Sequence, residues 1–367
     1  MTHIPILMIF DDEWEQGNRP TSMRMARRTL RDSSDPFAVP ENEFRSLYRV
    51  IVRLRLSKDA VWALIDELRP FMPVKRRITA IPIELQILVA LNFMATGSYQ
   101  RRIGQDFLTC MSQAMISKSL HATVNGLNQL MKKWIAFPVS DAKLNAVKQG
   151  FFEFSAFPGI IGVIDSTHIA IVPPEAQRGH LFINRKQYHS LNVLVVSDYK
   201  GEILAVNAAH GGRTHDAKVF QSSRLFAHLT EQYENGRKGL WLLGDSAYPL
   251  LPFLLTPKLD QQEGTPGAKY TNHHIRACEA VKRCLGVLKG RWRCLRKERA
   301  LHYQPEFAAL IVNACCVLNN IAIRWRISED EIYMDEIDTD PPELYENIDM
   351  ENGEQARNQI IEWYFTD

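Results

Sequence analysis

Several features that would identify other classes of protein are scarce in this chain of 367 residues. It has six cysteines, none of them in a C-x-x-C pair, and no histidine cluster at zinc-finger spacing. We find no apolar run near the roughly 20 residues of a membrane helix. The apolar start is too short for a signal sequence and is followed at once by Asp11, Asp12 and Glu13. We therefore expect an intracellular, soluble protein with reduced thiols that spans no membrane.

The charge is unevenly distributed along the chain. The formal net charge is only +2, but residues 328–367 contain 14 acidic side chains and a single basic one, Arg357. The rest of the chain is therefore strongly basic, which favours a polyanionic partner, with nucleic acid first. A solvated basic surface with a disordered tail is the alternative. The acidic tail at 328–367 is expected either to dock a basic partner or to fold back on the protein's own basic surface.

The pattern before residue 150 is helical. Residues 1–42 are interpreted as a flexible basic arm carrying Arg24, Arg27, Arg28 and Arg31, without a folded element. Residues 43–150 are interpreted as a helical domain. Ser57 is a plausible N-cap for a helix over 58–68, and Pro82 precedes a second helix over 83–94.

A pair of further helices has two interpretations. Segments 98–107 and 112–130 are joined by a short link, the spacing of a helix-turn-helix motif. In that motif Lys118 would point outward toward DNA. An ordinary helical pair inside a bundle has the same period, and the period alone favours it.

From residue 151 the pattern changes to α/β. Short apolar runs of strand length recur at 159–164, 190–196, 203–209 and 240–243, with helices expected over 216–229 and 273–292. Three neighbouring strands, a helix, a fourth strand and further helices form a ribonuclease H-like order. The expected fold is therefore α/β, with such a core at 151–327 preceded by the all-helical region.

Carboxylates follow two of these strands. Asp165 comes directly after the first strand and Asp245 after the fourth, so both are expected in one crevice at the sheet edge. Hard oxygen ligands of this kind favour Mg²⁺ or Mn²⁺. A third acid, Asp216, is a candidate N-cap and a candidate further ligand, two roles that are compatible, and His215 beside it is either a polar loop residue or a metal or phosphate contact.

A set of motifs in fixed order identifies a family. They are Ala95-Thr-Gly-Ser98, Gly162-Val-Ile-Asp-Ser-Thr-His168, Asn184-Arg-Lys186 with His189-Ser-Leu-Asn192, Thr214-His-Asp216, Gly244-Asp-Ser-Ala-Tyr-Pro249 with Leu254-Leu-Thr-Pro257, and Leu288-Lys-Gly-Arg-Trp-Arg-Cys-Leu295. From about residue 44 to residue 326 the chain resembles the Harbinger (PIF) superfamily of DDE transposases and the nuclease-like host proteins derived from them.

The resemblance implies a ribonuclease H-like core in which a D-D-E triad holds two divalent metal ions. Asp165 and Asp245 match the two aspartates, and Asp216 matches an additional metal ligand. The glutamate of the family's pattern aligns with Lys282, a reversal of charge, and Glu279 one turn earlier is the candidate substitute. The resemblance also implies DNA as substrate, a nuclear location, and a Myb-like DNA-binding partner protein. A second, cytoplasmic location is a further expectation.

Two functions of different class follow. One is a metal-dependent DNA endonuclease or strand-transferase that uses Asp165, Asp245 and Glu279. The other is a catalytically inactive DNA- or protein-binding factor domesticated from a transposase, which the lysine at position 282 favours. For either one, basic residues of the last predicted helix would bind the phosphate backbone. They are Arg276, Lys282, Arg283, Lys289 and Arg291. The oligomeric state does not follow from the sequence.

Overall fold

The computed structural model describes residues 19–32, 35–38, 40–41, 55–74, 80–104, 110–175, 177–329 and 350–366. In these residues the chain is α/β, with one five-stranded mixed sheet. The strands are β1 (Ile160–Ala170), β2 (Ser190–Ser197), β3 (Ile203–Gly211), β4 (Trp241–Leu243) and β5 (Leu254–Leu255). The helices are α1 (Arg19–Asp32), α2 (Lys58–Leu68), α3 (Ile83–Thr96), α4 (Gln100–Ile103), α5 (Gln113–Gln129), α6 (Met131–Trp134), α7 (Asp141–Ser155), α8 (Asp216–Gln221), α9 (Arg224–Glu234), α10 (Pro266–Arg291), α11 (Pro305–Arg324) and α12 (Met350–Tyr364).

The chain divides into two units. The first comprises Met1–Gln129, Trp292–Cys294 and Arg324–Ile327, and the second Leu130–Arg291, Leu295–Ile323 and Ser328–Asp367. Helix α7 thus belongs with the sheet, whereas the sequence placed the boundary after residue 150. The reason is that α7 packs against β1, a contact that the local helical pattern does not reveal.

Helices α2, α3 and α5 pack together in the first unit. The Ser57 Oγ accepts a hydrogen bond from the Ala60 N–H, so α2 begins where the cap predicts and ends before Pro70 as expected. Helix α3 continues to Thr96 and ends at Gly97, whose φ of 63° is the left-handed conformation that favours glycine.

The structure differs from one expectation for the first unit and does not show another. Residues 19–32, assigned to a flexible arm, form helix α1, while residues 1–18 lie outside the described part of the chain. The described residues also show no helix-turn-helix, because α4 is a single turn of four residues and residues 105–109 are outside the description. Helix α5 is present, and Lys118 is exposed on it.

The sheet has the strand order β3-β2-β1-β4-β5. Strand β1 is antiparallel to β2 and parallel to β4. It continues as far as Ala170, so the expectation that Asp165 follows the end of the strand is wrong: Asp165 lies within β1, opposite Val195. The polar run after Asp165 looks like a loop in the sequence, but it is strand backbone whose side chains border the candidate site.

The helices after β3 differ slightly from the prediction. The expected helix over 216–229 is two helices, α8 and α9, because Ser223 interrupts the run and its Oγ caps α9 by accepting from the Phe226 N–H at 3.1 Å. Both helices contribute to one apolar core with the sheet. That core includes Ile161, Ile164, Leu194, Val196, Val219, Phe220, Leu225, Leu229 and Leu242.

The acidic tail carries a helix that packs on the second unit. Helix α12 lies against α10 and β5, and it buries Ile360 and Phe365. The Phe365 ring lies 5.6 Å from the Phe157 ring and 5.9 Å from the Tyr270 ring. The tail was expected either to dock a partner or to fold back on the protein. Its described part folds back on the protein, through apolar contacts.

Helix α11 is a long apolar helix, although no apolar run near the length of a membrane helix was expected from the sequence. In the described part of the chain it is the one helix that is long and apolar enough to cross a membrane, but two thirds of its apolar stretch is buried in the fold. It ends on a polar contact with the sheet. The buried Asn320 side chain accepts from the Ile203 N–H and donates to the carbonyls of Ile203 and Trp134, each at 2.8 Å.

Replacing Asn320 tests this contact. We expect Asn320→Ala to lower the free energy of unfolding by about 3 kcal/mol, because buried backbone groups would lose their partners. Urea denaturation followed by circular dichroism measures the change. Asn272→Ala, at an exposed position of α10, is the matched control and should have little effect. Equal losses for both variants would show that the Asn320 contact does not support the sheet.

Candidate active site

The register of β1 and β4 brings two aspartates together. Val163 pairs with Leu243 in neighbouring parallel strands, and Asp165 and Asp245 each follow two residues later. Residues that are equally far from a paired position in parallel strands lie side by side. Asp245 lies two residues after the end of β4, next to a strand end as the sequence predicted. Its neighbour Asp165 lies within β1.

Burial and mutual repulsion make these carboxylates weak acids. Burial, followed by the charges of Asp245 and Asp216, raises the pKa of Asp165 to about 7. The pKa of Asp245 is also raised, first by burial and then by the charge of Asp216. Backbone N–H groups partly offset this, because Ser166 donates to Asp165 at 2.7 Å and Ala247 donates to Asp245 at 3.0 Å.

Asp216 is the third carboxylate of this group. Its Oδ1 accepts from the Asn192 Nδ2 at 2.6 Å, and the same amide donates to the Thr214 carbonyl at 2.8 Å. The N-cap of α8 is His215, whose Nδ1 accepts from the Ala217 N–H. The proposed capping role of Asp216 is therefore wrong, and its carboxylate faces Asn192 instead.

Helix α10 supplies a basic group to the site. It packs on β1, β2 and β4, with His274, Cys278 and Lys282 four residues apart along one face. The charge of Lys282 lowers the pKa of both Asp165 and Asp245, against the larger effects that raise them. The same aspartates raise the pKa of the Cys278 thiol, after burial. This face of α10 therefore meets the carboxylates.

Glu279 precedes Lys282 by three residues on α10, which places the two about 60° apart around the helix axis. Both side chains are exposed. The structure thus brings Asp165, Asp216, Asp245 and Lys282 together, and Lys282 rather than Glu279 stands in the row of His274 and Cys278 on α10.

The other basic residues of α10 are divided between surface and core. Arg276, Lys282 and Arg283 are exposed, Lys289 is partly buried, and Arg283 pairs with Glu329 at 3.4 Å. Arg291 is only 1% exposed, so the expectation that it contacts nucleic acid is wrong for the fold as it stands. Arg291 ends a run of basic residues along the helix, and this sequence pattern does not indicate that its side chain is buried.

The donor chemistry fits a hard cation only in part. Clustered carboxylates whose charges are incompletely balanced are the ligands that Mg²⁺ and Mn²⁺ prefer. However, the described residues contain no group of three or more His, Cys, Asp or Glu side chains placed to hold a metal ion. With a lysine as the fourth charged group, the residues fit one divalent ion between Asp165 and Asp245 better than a pair of ions.

Sequence reasoning missed three supporting side chains. Asn192 orients Asp216, and the hydroxyls of Ser166 and Tyr248 form a hydrogen bond at 2.8 Å beside the aspartates. Burial raises the pKa of Tyr248 well above its usual range, so its phenol stays protonated. All three belong to motifs that were recognised, but their contacts join residues far apart in the chain.

The sequence is similar to an endonuclease family and to several named proteins. A family described as DDE superfamily endonuclease matches residues 164–320. A protein named "Putative nuclease HARBI1" from Mus musculus is 39% identical over 250 residues, covering 68% of this chain and 69% of that protein. Its namesake from Homo sapiens is 33% identical over 297 residues, covering 79% and 82%. "Protein ALP1-like" from Arabidopsis thaliana is 28% identical over 252 residues, covering 65% and 60%. No solved structure matches.

The raised pKa of Asp165 predicts a dependence of stability on pH. The folded state keeps a proton up to about pH 7, whereas the unfolded state releases it near pH 4. The stability that this proton contributes is therefore lost as the pH rises through 7. In EDTA, we expect Asp165→Asn to be more stable than wild type by about 1–2 kcal/mol at pH 8, after allowance for solvent screening, and by much less at pH 5.

Urea denaturation at the two pH values measures this difference. Asp260→Asn, which alters an exposed carboxylate of the same unit, is the control and should show no such dependence. A gain for Asp165→Asn that is the same at pH 5 and pH 8 would contradict the assignment.

Proposed function

The chain belongs to the family of Harbinger transposase-derived nuclease-like proteins, and we propose that its acidic site is built for metal-dependent hydrolysis or strand transfer of DNA phosphodiesters. The observation that carries this proposal is the convergence of Asp165 and Asp245 from parallel strands, with Asp216 sharing their electrostatic field. The DDE endonuclease domain implies a ribonuclease H-like fold, and the order of the five strands supports it.

Each residue has a distinct part in this proposal. Asp165 and Asp245 would hold one Mg²⁺ or Mn²⁺, which, when bound, polarises a phosphodiester and lowers the pKa of water. Asn192 keeps the Asp216 carboxylate oriented toward the site. The ammonium group of Lys282, beside Asp165 and Asp245, would stabilise the negative charge that develops on the phosphate oxygens. Lys282 also repels a second divalent ion, which attenuates any two-ion reaction.

A second candidate function rests on that lysine. Because Lys282 already balances part of the carboxylate charge, the fold has less need of a metal ion than a site with three acids. The protein would then be a DNA- or protein-binding factor that has lost catalysis. Its exposed basic residues, such as Arg276 on α10 and Lys118 on α5, would contact phosphates in either case.

The proposal includes the setting that the family resemblance implies. A protein that acts on DNA would be located in the nucleus, with a cytoplasmic pool compatible with its composition. A Myb-like protein is the proposed DNA-binding partner. The oligomeric state is outside this proposal.

A cleavage assay tests the function. Labelled duplex DNA and Mn²⁺ are incubated with wild type, Lys282→Glu, and Lys282→Glu combined with Asp165→Ala. We expect Lys282→Glu to cleave about tenfold faster than wild type or more, because it replaces a repelling cation with a ligand. Adding Asp165→Ala should abolish the gain.

Two further variants sharpen the result. Glu279→Gln should leave cleavage unchanged if Lys282 occupies the ligand position of α10, because Glu279 is outside the row of His274, Cys278 and Lys282, whereas a loss would restore it as a ligand. Arg276→Glu makes the same change of charge on the same helix as Lys282→Glu and should produce no gain. If Lys282→Glu does not exceed wild type, the proposed attenuation by Lys282 is wrong. If no variant cleaves, the enzyme proposal gives way to the binding factor.

A further inference from the structure

The connection between β1 and β2 is a basic segment without a role in the site described above. Residues 177–189 contain three arginines or lysines and two histidines, but no acidic residue. Arg185 and Lys186 are exposed at the tip, and Arg213 is exposed on the neighbouring connection after β3. We refer to residues 177–189 and 211–215 together as the basic loop pair.

The tip of the first loop is held in one conformation. The buried Asn184 donates from its backbone N–H to the Tyr188 carbonyl at 3.0 Å, and its carbonyl accepts from the Gln187 N–H at the same distance. Its side chain donates to the Ser190 Oγ at 3.0 Å and accepts from the Tyr188 N–H at 3.3 Å. A buried asparagine thus fixes the turn that presents Arg185 and Lys186.

The two loops are also held against each other. The Arg213 N–H donates to the Leu181 carbonyl, and the Gly212 N–H donates to the Ser190 carbonyl at 2.7 Å. A Cβ atom at Gly211 would lie 2.3 Å from the Leu181 oxygen, and one at Gly212 would lie 2.2 Å from the Ser190 Oγ. Only glycines allow this approach, so the Gly-Gly sequence joins the two basic connections into one surface.

The basic loop pair is attached to the acidic site. Asn192, two residues beyond Ser190, donates to both the Thr214 carbonyl and Asp216. Strand β1 leads from Asp165 to Ala170, a span of five residues or roughly 16 Å. Along a duplex that distance is about five base-pair steps. A duplex that runs along β1 with one phosphate at the aspartates would therefore reach the loops.

A further lysine borders the first loop. The Lys297 Nζ lies 4.7 Å from the centre of the Tyr188 ring, and Lys297 is exposed. Arg178 forms an ion pair with Glu306 of α11 at 2.7 Å, and this pair anchors the base of the loop. Arg185, Lys186, Arg213 and Lys297 are all exposed to solvent.

We propose that the basic loop pair is a binding site for the DNA phosphate backbone, which holds the nucleic acid beside the acidic site, with Arg185 and Lys186 as its main contacts. This proposal rests on the proposed action on DNA. Rigid presentation lowers the entropic cost of binding, and the contacts carry no sequence information. The site is formed by residues other than the basic residues of α10.

The test compares two double variants that remove the same charge. Arg185→Ala/Lys186→Ala alters the basic loop pair. Lys132→Ala/Lys133→Ala alters exposed residues of α6, which adjoins the start of β3 at the opposite end of the sheet. Binding of a labelled duplex is followed by fluorescence anisotropy in EDTA, from about 50 to 200 mM NaCl. Two unrelated DNA sequences are used, and thermal unfolding confirms that both variants are folded.

We expect the Arg185/Lys186 variant to bind about tenfold more weakly, equally for both sequences. The slope of log K against log [NaCl] should fall by about two, one for each lost phosphate contact. The control variant should match wild type. If both variants lose affinity equally, or only the control does, the loop site is refuted while DNA binding stands. If wild type binds no duplex, the proposed action on DNA fails as well.

Discussion

The parallel pairing of β1 with β4 is the contact on which the rest of the site depends. It is short, since β4 has only three residues, yet it sets Asp165 beside Asp245 from positions 80 residues apart. Gly162 allows the close packing here, because a Cβ atom would lie 2.9 Å from Val196 and 3.1 Å from Leu242. The helices on the sheet then place Asp216 and Lys282 around a pair of acids whose positions the backbone has already determined.

The arrangement of charge follows from this pairing. Two neighbouring carboxylates that are partly removed from water repel each other. Three features reduce this repulsion: backbone N–H donors, a proton that Asp165 keeps to unusually high pH, and the charge of one lysine. A divalent ion would serve the same electrostatic purpose. Lys282 therefore links the two proposed functions, because the ammonium group that balances part of the carboxylate charge would compete with a divalent ion for the same position.

Local signals in the sequence predicted local structure well. Ser57 and Pro70 bound α2 as expected, and Asp245 was correctly placed at a strand end because apolar residues precede it. The α/β class and the carboxylate pair could also be predicted. Strand β1 was cut short because Ser166, Thr167 and His168 look like a loop unless their partners on β2 are known. The burial of Arg291, the contact of Asn192 with Asp216, and the docking of α12 all depend on residues distant in sequence.

Helix α12 has a consequence for the order in which the protein is made. It buries Ile360 and Phe365 against an apolar cluster that includes Phe157. Gly353 lies so close to Leu250 that a Cβ atom on the glycine would be 2.5 Å from the Leu250 carbonyl oxygen. The sheet is translated first, and a growing chain leaves the ribosome with this apolar surface uncovered. The second unit reaches its native packing only after residue 365 has emerged. Transiently exposed apolar surface of this kind is where incompletely folded chains associate.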